Sequence, residues 1–360
     1  MAHLLRQLDA DPTFLACCGG FFIGTYPMFV KTPSVLKAGV HPVAFQFYKS
    51  VWTALFGGVM VGLRWARGEE PAYAFTWWAV IAACVWVPAG CCLIAAVPRA
   101  GVGAGVLLFD GSTTLLSFAL GLLAFHEPIK AHTTADGYVY YLAPVYLLSA
   151  LLGMAALALL PEWVRSKTAK VASDGTGERS EPLLGVRPQP LPLAGYTLAI
   201  VAGALSAMQY GIVTVGKKEV PLQMGGSAAL AYKEALDPLG SWTLTFGATA
   251  CVVNACWLAG LSAHATATAA PLPALKLREV WAPASLAGVC YALSVIVTTL
   301  AVEKGGNALV PAQRNAVSLI TSGAWGLVYY REVAGKAAVA WVGAAALTMA
   351  SVVLLGLEKG

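Results

Sequence analysis

Charge is what this sequence lacks most. Asp, Glu, Lys and Arg make up only 11% of its 360 residues, against roughly 25% in soluble domains. So few charges cannot cover a water-facing globule of this size, which excludes the soluble fold classes. Histidine is also scarce: His3, His41, His126, His132 and His264 fall at the ends of apolar runs or between them and form no cluster. The eight cysteines all lie inside apolar runs without CxxC spacing; they read as small packing side chains rather than metal ligands. No Walker A, HExxH or GxSxG pattern occurs, and the stretch Gly101-Val102-Gly103-Ala104-Gly105 follows no strand, so it is not a dinucleotide fingerprint. Neither an enzyme, nor a cofactor, nor a bound metal is expected. The net charge is +5 with no basic run interleaved with aromatics, so nucleic acid is not an expected partner.

What the sequence has is apolar length. Hydrophobic residues reach 58% and mean hydropathy is +0.70. Ten runs of about 20 residues cover 12–31, 43–63, 77–97, 101–124, 142–160, 192–214, 239–261, 281–301, 307–329 and 336–357. Backbone polar groups in hydrocarbon must be satisfied within a helix or a closed barrel. The runs lack strand-like alternation, which selects helices and an all-α polytopic membrane protein. Arg6, Asp9 and Asp11 precede the first run, which is too long for the core of a cleavable signal. A polar segment over 161–191, rich in charge, Gly and Pro, separates residues 1–160 from 192–360, five helices on each side. A shorter linker of Ala, Thr and Pro occupies roughly 262–277. Lysine and arginine are slightly more numerous on the side of the long linker, which places that linker in the cytosol by the positive-inside rule.

The halves repeat. Residues 96–127 lie over 301–332 without a gap, at a constant offset of 205. Ala96, Val97, Gly101, Ser117, Ala119, Gly121, Leu122 and Glu127 meet identical residues. Arg99 meets Lys304, Thr113 meets Ser318, Asp110 meets Asn315 and, further upstream, Trp86 meets Tyr291. Five helices per copy is an odd number, so the two copies run in opposite directions through the bilayer. Inverted repeats of this kind are characteristic of secondary transporters with a midplane site between the halves.

Ionisable residues inside spans are costly and therefore point to function. Lys49, Asp110 and Arg314 are such residues. Asp110, Thr114, Ser117 and Gly121 share one helix face, and Asn315, Ser318, Ser322 and Gly326 form the matching stripe in the second repeat. Gln46, Lys49 and Thr53 share a face of the second span. Tyr26-Pro27 and Gln209-Tyr210-Gly211 each place an aromatic ring beside a residue that disturbs a helix, and Asn254 is a further polar candidate. Rings with hydrogen-bonding tips suit a sugar, whose C–H faces are apolar and whose hydroxyls need partners. The expected substrate-binding set is Tyr26, Lys49, Trp86, Asp110, Tyr210, Asn254, Tyr291, Arg314 and Asn315.

The segments GTYPMFVKTP (24–33), HPVAFQFYKS (41–50), Trp86 with its small followers, DGSTTLL (110–116) and AWGLVYYREVAGK (324–336) resemble the drug/metabolite transporter superfamily. Within it they are most similar to the transmembrane protein 144 family, related to bacterial glucose/ribose porters. The resemblance spans the chain apart from its two linkers and implies ten helices in inverted five-helix repeats and carbohydrate transport. Two family patterns are altered: Trp86-Val87-Pro88-Ala89-Gly90 lacks the Asn of W-x-x-G-N, and Asp110-Gly111-Ser112-Thr113-Thr114 lacks the Trp and Asn of W-G-S-x-N.

The functional expectation is a secondary transporter that moves a carbohydrate or related polar metabolite across a lipid bilayer by alternating access. Lys49 and Arg314 leave other solutes open: a nucleotide-sugar, an organic anion or a ureide. Asp110 has two available roles, ion-pair partner of Arg314 or carrier of a coupling proton. The alternative from another class is a non-transporting membrane adaptor or receptor, suggested by the dileucine-like stretch Arg179-Ser180-Glu181-Pro182-Leu183-Leu184 in the long linker.

Overall fold

A computed structural model describes residues 11–30, 32–100, 102–157, 159, 193–218, 226–269, 271–329 and 335–358. The long linker with its dileucine-like stretch, and the Glu332 end of the repeat alignment, lie outside the described residues. The described chain is almost entirely helical: α1 (Pro12–Val30), α2 (Pro33–Ala38), α3 (Pro42–Ala66), α4 (Trp77–Ala100), α5 (Val102–Ala119, continued by a π turn Leu120–Ala124), α6 (Ala143–Leu157), α7 (Leu193–Lys218), α8 (Gly226–Ala235), α9 (Ser241–Ala267), α10 (Leu277–Gly305), α11 (Val310–Val328) and α12 (Lys336–Gly356). A two-residue hairpin, β1 (His132–Thr133) with antiparallel β2 (Val139–Tyr140), pairs His132 with Tyr140 and Thr133 with Val139.

Each of the ten expected segments is helical over most of its described residues. Seven described helices are long and apolar enough to cross a membrane: α1, α4, α5 with its π turn, α7, α9, α10 and α12. They are consistent with an integral, multi-pass membrane protein. Helix α6 is shorter, and α3 and α11 carry the polar groups Gln46, Lys49, Gln313, Arg314 and Asn315 along their buried faces. The short helices α2 and α8 leave no mark in the apolar pattern, because neither is a hydrophobic run.

Local chemistry sets the ends. Pro42 opens α3 at a position where its missing N–H costs nothing, and His41 Nδ1 accepts the Val43 N–H at 3.3 Å. Between α10 and α11 the chain turns at Gly306, whose φ of 83° excludes most side chains. There the Glu127 carboxylate accepts the backbone N–H groups of Asn307 and Ala308 at 2.8 and 2.7 Å.

The packing interleaves the two halves. Helix α1 packs on α10 and α11, while α7 packs on α4 and α5. Helix α3 lies against α9 and α10, α4 also meets α9, and α5 meets α11. Lipid tails are as apolar as leucine, so such contacts rest on close packing rather than on the hydrophobic effect. The α3–α9 crossing shows how close: a Cβ on Gly57 would collide with the backbone of Thr243 and Leu244, and one on Gly247 with that of Thr53 and Ala54. The main buried cluster, with Tyr26, Phe45, Trp86, Trp242, Phe246 and Tyr291, draws on both halves.

Candidate functional site

The site is assembled from one to four residues on each of seven helices. Tyr26 and Pro27 come from α1, Lys49 from α3, Trp86 and Gly90 from α4 and Asp110 from α5. Ser206 and Tyr210 come from α7, Tyr291 from α10, and Arg314 with Ser318 from α11. Together they line one cavity between the halves, with apolar wall from Leu93, Val106 and Phe109. Its volume is about 40 Å³, room for roughly three waters.

Three rings surround a lysine. Lys49 Nζ lies 4.1 Å from the ring centre of Tyr291, 4.9 Å from that of Tyr26 and 5.5 Å from that of Trp86. The rings support one another: Trp86 stacks on Tyr291 at 4.8 Å and 23°, and Tyr26 meets Tyr291 edge-on at 6.4 Å. Phe246 backs Trp86 at 5.1 Å. A cation over such a face gains about 0.5–2 kcal/mol, most when desolvated, and Lys49 is buried.

The second polar cluster joins α5 and α11. Asn315 Nδ2 donates to the Asp110 carbonyl at 3.1 Å and to Thr114 Oγ1 at 3.0 Å, and Asn315 Oδ1 accepts from Arg314 Nη1 at 2.6 Å. Asp110 Oδ2 and Arg314 Nε have no partner although both are buried. No ion pair within 4.0 Å joins them among the described residues, so the charge-pair role open to Asp110 from the sequence is not formed here. Gln46, one turn before Lys49, packs against Gly90 with neither amide atom partnered.

Of the nine residues singled out in the sequence, Tyr26, Lys49, Trp86, Asp110, Tyr210, Tyr291 and Arg314 line this cavity. Asn315 stands just behind, committed to Asp110, Thr114 and Arg314. Asn254 is elsewhere: its amide donates to Ser50 Oγ and to the Ala250 carbonyl, both at 2.8 Å, tying α9 to α3. Ser206 and Gly90, which line the cavity, and Phe246, which backs Trp86, are not legible as such in the sequence. A serine, a glycine and a phenylalanine in apolar helices carry no signal until a partner helix is known.

Compared with known proteins, the chain matches no family model, and no curated protein is significantly similar to it.

Proposed function

We propose that this protein is a secondary transporter that moves a carbohydrate or related polar metabolite by alternating access, built as ten membrane-spanning helices in two inverted five-helix repeats. The observation that carries the reading is the cavity between the halves, where three aromatic faces and three ionisable side chains meet away from solvent. Buried ionisable groups within membrane helices mark substrate or ion pathways.

The repeat draws support from contacts that exchange under a two-fold operation. If α1, α3, α4, α5 and α6 correspond to α7, α9, α10, α11 and α12, the α1–α10 contact maps onto α7–α4, α1–α11 onto α7–α5, and α3–α10 onto α9–α4. Single residues follow the same rule. Gly57 and Gly247 differ by 190, as do the residues they abut, Leu244 and Ala54. Gly20 abuts the Arg314 carbonyl and Gly203 the Phe109 carbonyl, and those two carbonyls differ by the 205 found in the sequence. The pairs Trp86–Tyr291 and Asp110–Asn315 map onto themselves and touch. An axis through these contacts runs beside the cavity, where a substrate site in an inverted repeat belongs.

At the end of the molecule where α3 finishes and α9 begins, polar ties join the halves. Arg64 binds Glu234 and Asp237, Lys218 donates to the Phe125 carbonyl, and His132 Nε2 lies 2.8 Å from Glu358 Oε2. With the narrow cavity, these ties fit a carrier closed at that end. Rocking of the halves then supplies the room a sugar needs. The motif resemblance to the transmembrane protein 144 family points to the same class of solute. Purified protein in liposomes should exchange labelled hexose, pentose or nucleotide-sugar; exchange no faster than in protein-free vesicles, across sugars, ureides and organic anions, would overturn the reading.

A further inference from the structure

We propose that the solute taken by this cavity is an anionic carbohydrate, a sugar acid or a sugar phosphate. The inference rests on the carbohydrate reading above and narrows it. Lys49, Arg314 and Asp110 are 2%, 3% and 1% exposed, so the cavity sets two basic side chains against one acidic one. A buried charge without a counter-charge is costly, and the excess here is positive. Neither basic side chain forms an ion pair within 4.0 Å among the described residues. Lys49 is held by ring faces, which favour its charge without cancelling it. Arg314 spends Nη1 on the neutral amide oxygen of Asn315 and leaves Nε bare. A guanidinium with an unused N–H suits a carboxylate or phosphate oxygen, each bond to it being charge-assisted.

The rest of the cavity asks for hydroxyls. Asp110 Oδ2 is an acceptor without a donor, and Ser206, Tyr210 and Ser318 bring hydroxyls to the lining. A hydroxyl both donates and accepts, so a polyhydroxylated ring serves these groups while its C–H face meets Trp86, Tyr26 and Tyr291. An inorganic anion would bring no donor to the Asp110 carboxylate and no C–H face to the rings. An amino sugar would bring a further cation.

Calorimetric titration of the purified full-length protein in detergent separates these cases, with glucuronate, a hexose phosphate, glucose and glucosamine as probes. Glucuronate or the hexose phosphate should bind at least about tenfold tighter than glucose, the size expected for a hydrogen bond to a charged group, with glucosamine weakest. Whichever anion binds tighter tells carboxylate from phosphate. Arg314→Gln should reduce the anion-to-glucose affinity ratio by about the same factor. Lys49→Met provides the same comparison if Arg314→Gln fails to give a monodisperse, cooperatively melting protein. Glucose binding as tightly as either anion, or glucosamine binding tightest, overturns this inference and leaves the carbohydrate reading standing. Absence of binding by all four probes overturns both.

Discussion

Among the described residues two arginines are buried, Arg64 at 4% exposure and Arg314 at 3%, and they are used in opposite ways. Arg64 sits at the end of α3 with every arm engaged. Its Nε meets Glu69 at 3.1 Å, Nη1 meets Asp237 at 3.2 Å, and Nη2 serves Glu234 and the Pro71 carbonyl. Arg314, at the cavity, has one amide oxygen on Nη1 and an empty Nε. A saturated guanidinium fastens pieces of chain together: here α3, its following turn, and the end of α8 with the segment that leads to α9. An unsaturated one holds charge and donors in reserve for something that comes and goes.

The largest expected effect is on the fastening side. Arg64→Ala strands Glu234 and Asp237 and should lower unfolding free energy by about 3 kcal/mol, the low end for breaking a buried ion pair, because Glu69 is 36% exposed. Thermal unfolding in detergent checks it; a melting point unchanged from the native protein would mean the cluster fastens nothing. Arg314→Gln, in contrast, should leave the melting point far closer to that of the native protein while abolishing transport. If the two variants melt alike, the contrast between them fails.

The next test separates two residues that the 205-residue offset in the sequence sets over each other. Asn315→Leu removes the donor to the Asp110 carbonyl and Thr114 and the acceptor for Arg314, at about 1–3 kcal/mol for each buried group left unmatched. Asp110→Leu removes a carboxylate whose Oδ2 binds nothing and whose side-chain partner is Ser318 alone among the described residues, so it should cost less stability than Asn315→Leu while stopping transport as completely. Equal melting points for the two would remove the distinction between a strut and a ligand group. The smallest effect belongs to Asn254→Ala, which breaks the tie to Ser50. It should cost about 1 kcal/mol and leave solute selectivity as it was; a changed selectivity would return Asn254 to the site.

These contrasts mark how far the sequence could be read. The ten apolar runs locate the helices, because an uninterrupted run in lipid has only one regular way to satisfy its backbone, although α9 continues to Ala267, into the stretch expected as a linker over 262–277. Lys49, Asp110 and Arg314 stand out for the same reason: a charge inside such a run needs an explanation. Trp86 and Tyr291, set as counterparts by the 205-residue offset, stack on each other. Asn254 was misjudged as a cavity residue because its partner Ser50 lies 204 positions away, and polarity within a span does not say which neighbour it faces. Gln46 was visible on the face of Lys49, but its unused amide becomes meaningful only once Gly90 is known to lie against it. The saturation of Arg64 was equally hidden, since Glu234 and Asp237 reach it only through the fold.

The central claim is that the cavity of Lys49, Asp110 and Arg314 is the path of a transported solute. Heterologous counterflow tests it directly: vesicles of native protein and of Asp110→Leu, prepared alike and preloaded with unlabelled sugar, are challenged with labelled sugar outside. The expected result is a transient accumulation above equilibrium with the native protein and none with Asp110→Leu at equal incorporation and melting behaviour. Equal accumulation by both proteins would show that solute crosses by another route and would contradict the assignment of the cavity.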